Sequence, residues 1–269
     1  MAVRYRTSGI IIKKEDRREA DQIFTIYTRD FGKLKILGKA IRKIKSKLRA
    51  GAELFYLSEI EFIQGKTYKT LTDAILIEKF KNLRKDLKRP AIAYKILEVL
   101  DKLVEREEPD KKNWQLLNEV FDTLNQKLEI KNQKLIYYYF LWNLLSILGY
   151  QPELYNCSLC QKKLIPEKIY FHSREGGVIC PSCFEKIKEK SFTPLEITET
   201  WRQHKENKSL TGFTKLNYCQ EINSDIVKIL RIILKKDWSF FSRLKIEILH
   251  QKILADISED FLSAISATR

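Results

Sequence analysis

The chain has 269 residues, 44% of them hydrophobic, which suits about two domains with a buried core. No apolar run approaches the ~18 residues of a membrane span. The start MAVRYRTSG lacks the apolar core of a secretory signal, so a soluble cytoplasmic protein with no membrane partner is expected. The formal net charge is +15, of which residues 1–90 carry +12 and the remainder only +3. A lysine-rich surface spread over all solvated faces would not divide this way, whereas a local field of one sign attracts a polyanion.

The first eighty residues read as β. RTSGIIIKK, DQIFTIYTRD and KLKILGKA are short β-branched runs, with a turn at FGK between the last two. LFYLSEIEFIQ alternates, with Phe55, Leu57, Ile60 and Phe62 as its apolar members, and TYKTLTDAILIE follows a turn at Gly65–Lys66. Five short strands with a polar insert before the fourth suit a small closed barrel of the OB type; composition alone does not separate this from an SH3-like barrel. The insert is GKAIRKIKSKLR, residues 38–49, and eight cations with no acid fall between 33 and 49. The spacing of Ile41, Ile44 and Leu48 predicts a short helix with these three on one face and the cations on the other. A basic amphipathic helix on anionic lipid is the local alternative, but three apolar residues are thin for insertion.

From Pro90 the period becomes helical. PAIAYKILEVLDKLVERE, NWQLLNEVFDTLNQKL and NQKLIYYYFLWNLLSILGY give three helices, the last apolar nearly all round and closed by Gly149. Its Tyr137, Tyr138, Tyr139, Phe140 and Trp142 are read as core rather than as a base-stacking surface. A cysteine-bearing insert follows. Thr193–Pro194–Leu195–Glu196 then forms a capping box that reopens helical structure. SDIVKILRIILKKDW and FFSRLKIEILHQKILADI complete it. The expected fold class is α+β, a five-stranded OB-type barrel followed by an all-α domain with an inserted four-cysteine zinc module. Its parts are residues 1–80 (barrel), 81–156 (helical, first part), 157–184 (zinc insert) and 185–269 (helical, second part).

CSLC and CPSC place Cys157, Cys160, Cys180 and Cys183 as two C-x2-C pairs, a spacing that lets two tight turns present four sulfurs to one Zn2+. Two disulfides would need an oxidising compartment, and redox C-x-x-C chemistry usually accompanies a βαβ pattern that is absent. Four thiolates leave no open position for an activated water, so a single structural zinc is expected. His172 is an alternative fourth ligand that the pattern does not require, and Cys219 reads as a buried thiol. His172, His204 and His250 are scattered. There is no H-E-x-x-H, phosphate loop or Gly-x-Ser-x-Gly elbow, and no clustered carboxylates suggest a two-metal nuclease. Binding without catalysis is the favoured reading. A nucleic-acid-processing enzyme and an RNA-binding protein with a zinc module are the alternatives.

Several segments resemble the DNA repair and recombination RecO family. Gly9 to Lys13 (GIIIK), Glu19 to Ile23 (EADQI), Thr28 to Lys33 (TRDFGK) and Gly38 to Lys43 (GKAIRK) are similar to successive pieces of its N-terminal barrel. Phe171, Gly176 to Cys180 and Pro181 to Cys183 are similar to its zinc segment. Ala20 departs from the Ser that members often carry. The final helices diverge, which leaves any partner pocket there unassigned. The resemblance implies a nucleoid-associated recombination mediator that binds single- and double-stranded DNA and anneals complementary strands. Its implied partners are RecR and single-stranded DNA-binding protein, with a functional link to RecA loading. The residues expected to track phosphates are Lys13, Lys14, Arg17, Arg18, Lys33, Lys35, Lys39, Arg42, Lys43, Lys45, Lys47, Arg49 and Lys66, on the loops and the strand 2–3 face that OB-type barrels use. Tyr5 and Tyr27 are weighed as stacking residues and read as core.

Overall fold

The computed structural model describes residues 3–85, 87–105, 107–126, 133–165, 168–191 and 218–267. Two compact units divide the chain, Met1–Leu144 and Leu145–Arg269.

In the first unit, β1 (Arg4–Arg17), β2 (Asp21–Thr28), β3 (Gly32–Gly38), β4 (Leu57–Ile63) and β5 (Lys69–Glu78) close a barrel in the order β1-β2-β3-β5-β4. A register shift between Ile11 and Lys13 puts a bulge at Ile12. It bends the long first strand so that its early half pairs with β4, from Arg4↔Ile63 to Ile10↔Leu57, and its late half with β2. Period-2 alternation then sorts the side chains. Phe24, Ile26, Leu34, Ile36, Ile60, Phe62 and Leu71 fill the interior, while Lys33 and Lys35 point out. Closure with one parallel β3–β5 contact, Ile36↔Lys69 and Leu37↔Thr70, gives the OB-type barrel rather than the SH3-like one.

The segment 39–56 is not the expected amphipathic helix. It runs through turns, with Lys43 N–H donating to Ala40 O and Ser46 N–H to Lys43 O, and only Lys47–Ala50 is helical, as one 3-10 turn. Ile41 enters the barrel core at 2% exposure, Ile44 is 93% exposed, and Leu48 packs beside the core. Six cations over 39–49 repel one another with no acid among them, and two bonds to the β1–β2 hairpin fix the chain in turns instead.

The helices of this unit are α1 (Lys88–Leu103), α2 (Lys111–Leu124) and most of α3 (Gln133–Ile147). Asp110 caps α2 by accepting from Lys112 N–H and Asn113 N–H. Tyr139, Phe140 and Trp142 of α3 are core residues, and Tyr137 and Tyr138 are half-buried. Gly32, at φ +63°, lies where a Cβ would strike the backbone of Glu108, so the segment joining α1 to α2 passes directly over the β2–β3 turn.

The second unit holds β6 (Ile169–His172), β7 (Gly177–Ile179), α4 (Pro181–Ser191), β8 (Cys219–Ile222), α5 (Ser224–Leu234), α6 (Trp238–Phe241) and α7 (Ile248–Ala267). The expected cysteine hairpin is β6–β7, turning through Gly176 at φ +68°. A third strand completes the sheet in the order β7-β6-β8, pairing His172↔Cys219 to Ile169↔Ile222. Cys219 is thus a strand residue, buried as expected. Asn223 caps α5 through its Oδ1 and Ile226 N–H. The single expected final helix is broken after Phe241 and resumes at Ile248. The capping box at 193–196 and His204 lie outside the described residues.

Candidate nucleic-acid interface and metal centre

Three loops of the barrel are tied together at one end. Arg42 N–H donates to Ala20 O (3.0 Å) and Ala40 N–H to Asp21 Oδ1 (2.7 Å), which fastens the cationic insert to the β1–β2 hairpin. The Arg17 guanidinium lies 4.3 Å over the ring of Tyr68, joining that hairpin to the β4–β5 loop that carries Lys66. These contacts bring the backbones carrying Arg17, Arg18, Lys39, Arg42, Lys43 and Lys66 to one end. Lys45, Lys47 and Arg49 follow along the same insert, exposed. Among the described residues, no carboxylate lies within 4.0 Å of Arg18, Lys35, Lys39, Lys43, Lys45, Lys47, Arg49 or Lys66.

Other members of the expected set are engaged. Lys14 bonds Glu53 at 2.6 Å and Arg42 pairs with Asp16 at 3.4 Å, both bracing the insert against the hairpin. Burial pushes the Glu53 carboxyl up, but the Lys14 ammonium and Leu54 N–H outweigh it and hold the group below its ordinary range. Lys13 pairs with Glu15 at 3.1 Å on the surface, where such contacts are weak.

Lys33 departs most from the expected role. Its side chain is only 10% exposed and donates to Asp101 O (2.7 Å) and Oδ1 (3.1 Å) of α1. On the neighbouring strand, Tyr27 is fully buried against Trp114 of α2, ring centroids 6.4 Å apart. Lys69 is drawn to Glu107 at 2.6 Å. The lower part of the β2–β3 face is therefore covered by the protein's own helices and acidic connecting segment. Lys13 and Lys35 stay exposed on that sheet, on either side of buried Thr25, with which both pair across the three strands. Tyr5, at 36% exposure, stacks on Phe62 at 5.4 Å and belongs to an aromatic cluster with Phe31. Tyr68, whose ring meets Arg17, lies in a loop where no periodicity marks it.

The second unit assembles the four cysteines. The Sγ atoms of Cys157, Cys160, Cys180 and Cys183 lie within 4.8 Å of one another, and Cys160 and Cys180 are 3.8 Å apart. A tetrahedron of sulfurs around an ion at ~2.3 Å has edges of about 3.8 Å, so the donor set fits one four-coordinate metal ion. The first pair sits on a turn closed by Gln161 N–H to Cys157 O and Cys157 N–H to Lys162 O, each 2.9 Å, with Gln161 at φ +58°. The second pair opens α4, where Pro181 is free of any need to donate. Cys180 N–H points at Cys157 Sγ (3.4 Å). Burial pushes the Cys180 thiol up, yet contacts from Ser182 Oγ and Cys183 N–H prevail and bring it to about 6. Burial and the three neighbouring sulfurs push Cys183 up to about 12. A cation would relieve that crowding by taking all four as thiolates. His172 is outside the cluster: its Nδ1 accepts from Glu175 N–H at 3.2 Å and braces the β6–β7 turn. Burial pushes the Cys219 thiol up to about 12.

Fold and site together define an α+β protein in which an OB-type barrel precedes a helical region carrying a four-sulfur metal-type centre. Known proteins match the chain in sequence. The family model for the N-terminal domain of recombination protein O matches residues 1–80, and that for its C-terminal domain matches residues 84–193. The DNA repair protein RecO of Dehalococcoides mccartyi is 32% identical over 233 residues, covering 87% of this chain and 84% of that protein. RecO of Moorella thermoacetica is 32% identical over 200 residues (74% and 73%), and that of Roseiflexus sp. is 34% identical over 208 (72% of each). The chain belongs to the RecO family of DNA repair proteins. No helix among the described residues is long and apolar enough to cross a membrane.

Proposed function

We propose that this protein is a non-enzymatic recombination mediator that binds single- and double-stranded DNA at the loop end of its barrel and anneals complementary strands. The observation that carries the reading is the fastening of three cation-bearing loops to one another while most of their charges have no internal counter-ion. Unpaired surface cations lose little on meeting a phosphate and release its condensed counter-ions. Binding of this kind ignores sequence, as repair requires, and two strands whose phosphates are neutralised no longer repel. The contacting set we infer is Arg17, Arg18, Lys39, Arg42, Lys43, Lys45, Lys47, Arg49 and Lys66, extended by the exposed Lys13 and Lys35; Lys33 and Lys14 serve the fold.

One Zn2+ held by Cys157, Cys160, Cys180 and Cys183 would cross-link the first turn to α4 and leave no position for water, a structural role. In the cell the protein acts in the cytoplasm on nucleoid DNA, with RecR and single-stranded DNA-binding protein, ahead of RecA loading. The test is annealing of complementary strands pre-coated with single-stranded DNA-binding protein, run across salt. Annealing above the spontaneous rate is expected. From 50 to 200 mM salt, affinity should fall several-hundred-fold for duplex DNA and about a hundredfold for naked single strands if about five phosphates are neutralised. Annealing no faster than the protein-free control, or salt-independent binding, would overturn the reading.

A further inference from the structure

Of the three apolar residues spaced along the cationic insert, two serve the fold. Ile41 enters the barrel core and Leu48 packs beside it. Ile44, between them, is 93% exposed. A singly exposed apolar side chain needs no explanation in itself, but this one has particular surroundings. Ser46 N–H donates to Lys43 O (3.0 Å), closing a turn that carries Ile44 at its tip. The insert is braced on both sides of that turn, by Ile41 and Leu48 against the barrel and by the backbone bonds of Ala40 and Arg42 to the β1–β2 hairpin. Its neighbours in the insert are Arg42, Lys43, Lys45, Lys47 and Arg49, all exposed. The structure thus holds a branched aliphatic side chain outward on a fixed turn, among the charges that gather phosphates.

We propose that Ile44 is an apolar wedge that contacts base faces where a DNA stack is interrupted, so that the loop end prefers gapped DNA to continuous duplex. The inference rests on the phosphate-binding reading above and adds a base contact to it. A DNA backbone drawn onto Lys43 and Lys45 covers Ile44 as well, and the covered side chain gains nothing from phosphate oxygens. The apolar surface of DNA is that of its bases, and aliphatic side chains are known to wedge between base steps. In a continuous duplex, entry means unstacking a step, which costs about as much as burying one aliphatic side chain returns. At the edge of a gap the last base pair already presents a bare face, and the burial is gained without that cost. Such a contact reads the interruption and not the sequence.

The test is fluorescence anisotropy of the full-length protein against one duplex in two forms, continuous and with a short gap, at several salt concentrations. A 2-aminopurine beside the gap reports on stacking. The native chain should bind the gapped form on the order of tenfold tighter and change the 2-aminopurine signal. Ile44→Ala should bring that ratio close to one and abolish the signal. Its continuous-duplex affinity, salt slope and melting temperature should be unchanged, because the side chain holds neither a phosphate nor the core. Ile44→Leu should keep the preference. No gap preference in the native chain, or a ratio that survives Ile44→Ala, overturns the wedge. So does an equal loss of affinity for both forms. An Ile44→Ala variant impaired only in binding phosphatidylglycerol vesicles also overturns it, and would make the turn a lipid contact. Failure of the underlying reading looks different: the native chain would bind neither form, or bind both without salt dependence.

Discussion

The loop end of the barrel and the cysteine module are both made of turns, yet they handle charge in opposite ways. At the barrel end, backbone hydrogen bonds hold the loops while the cations of Lys39, Lys43 and Lys45 are left facing solvent without partners. In the module, four sulfurs are crowded within 4.8 Å, two of them buried, so that the geometry itself lacks one positive charge. On the proposed reading, the first arrangement is stable without its ligand and attracts one from outside. The second would be completed by a metal ion, whose binding would be part of folding. A site for transient use and a site for permanent use can thus be told apart by where the uncompensated charge is kept.

That contrast predicts its largest effect at the metal. Stripping the ion with a chelator, or Cys180→Ser, should cost the second unit much of its stability, since structural zinc sites are worth about 10–16 kcal/mol in small peptides. Differential scanning calorimetry with metal analysis checks it. A purified protein holding under half an equivalent of zinc, or melting unchanged after chelation, would remove the distinction. Next comes charge reversal at the barrel end. Lys39→Glu with Lys43→Glu and Lys45→Glu should weaken DNA binding at low salt by about a hundredfold or more and leave the melting temperature nearly unchanged, because none of the three has an internal partner. Lys33→Ala sharpens the comparison from the other side. Its pair with Asp101 is 90% enclosed at the lysine, so a loss of about 1–2 kcal/mol of stability with DNA affinity unaltered is expected from urea unfolding and fluorescence anisotropy.

The smallest effect concerns Glu53. Its folded carboxyl titrates below the ordinary value near 4.3, so its pair with Lys14 stabilises above that value and the contribution fades as pH falls through the folded one. Glu53→Gln should be slightly less stable than the parent at pH 7, and the gap should close as pH falls below the folded carboxyl's own value. Because the carboxylate is 37% exposed, the gap at pH 7 will be small.

Much of this is legible in the sequence. Strand alternation, the helical period after Pro90 and the two C-x2-C pairs are local patterns, set by which residues face a core or a metal. The four ligands and the five strands follow from spacing alone. Other features carry no local mark. CQEI of β8 is four residues without alternation, and it becomes a strand only because β6 offers it an edge. Ile41, Ile44 and Leu48 repeat at helical spacing, but Asp21 and Ala20 bind the backbone in turns that the repeat cannot anticipate.

What the sequence by itself determined, then, is the inventory: an excess of cations in the first ninety residues, a barrel's worth of short strands, and four thiols paired for one ion. Which cations are available was decided by tertiary structure alone. Lys33 and Lys39 stand six residues apart and read identically as exposed bases. One is spent on Asp101 because α1 crosses the lower sheet, and the other is left free because the loop that bears it is pinned by its backbone. Availability depends on which carboxylate the fold brings near, and that is a matter of long-range packing rather than of neighbours in the chain.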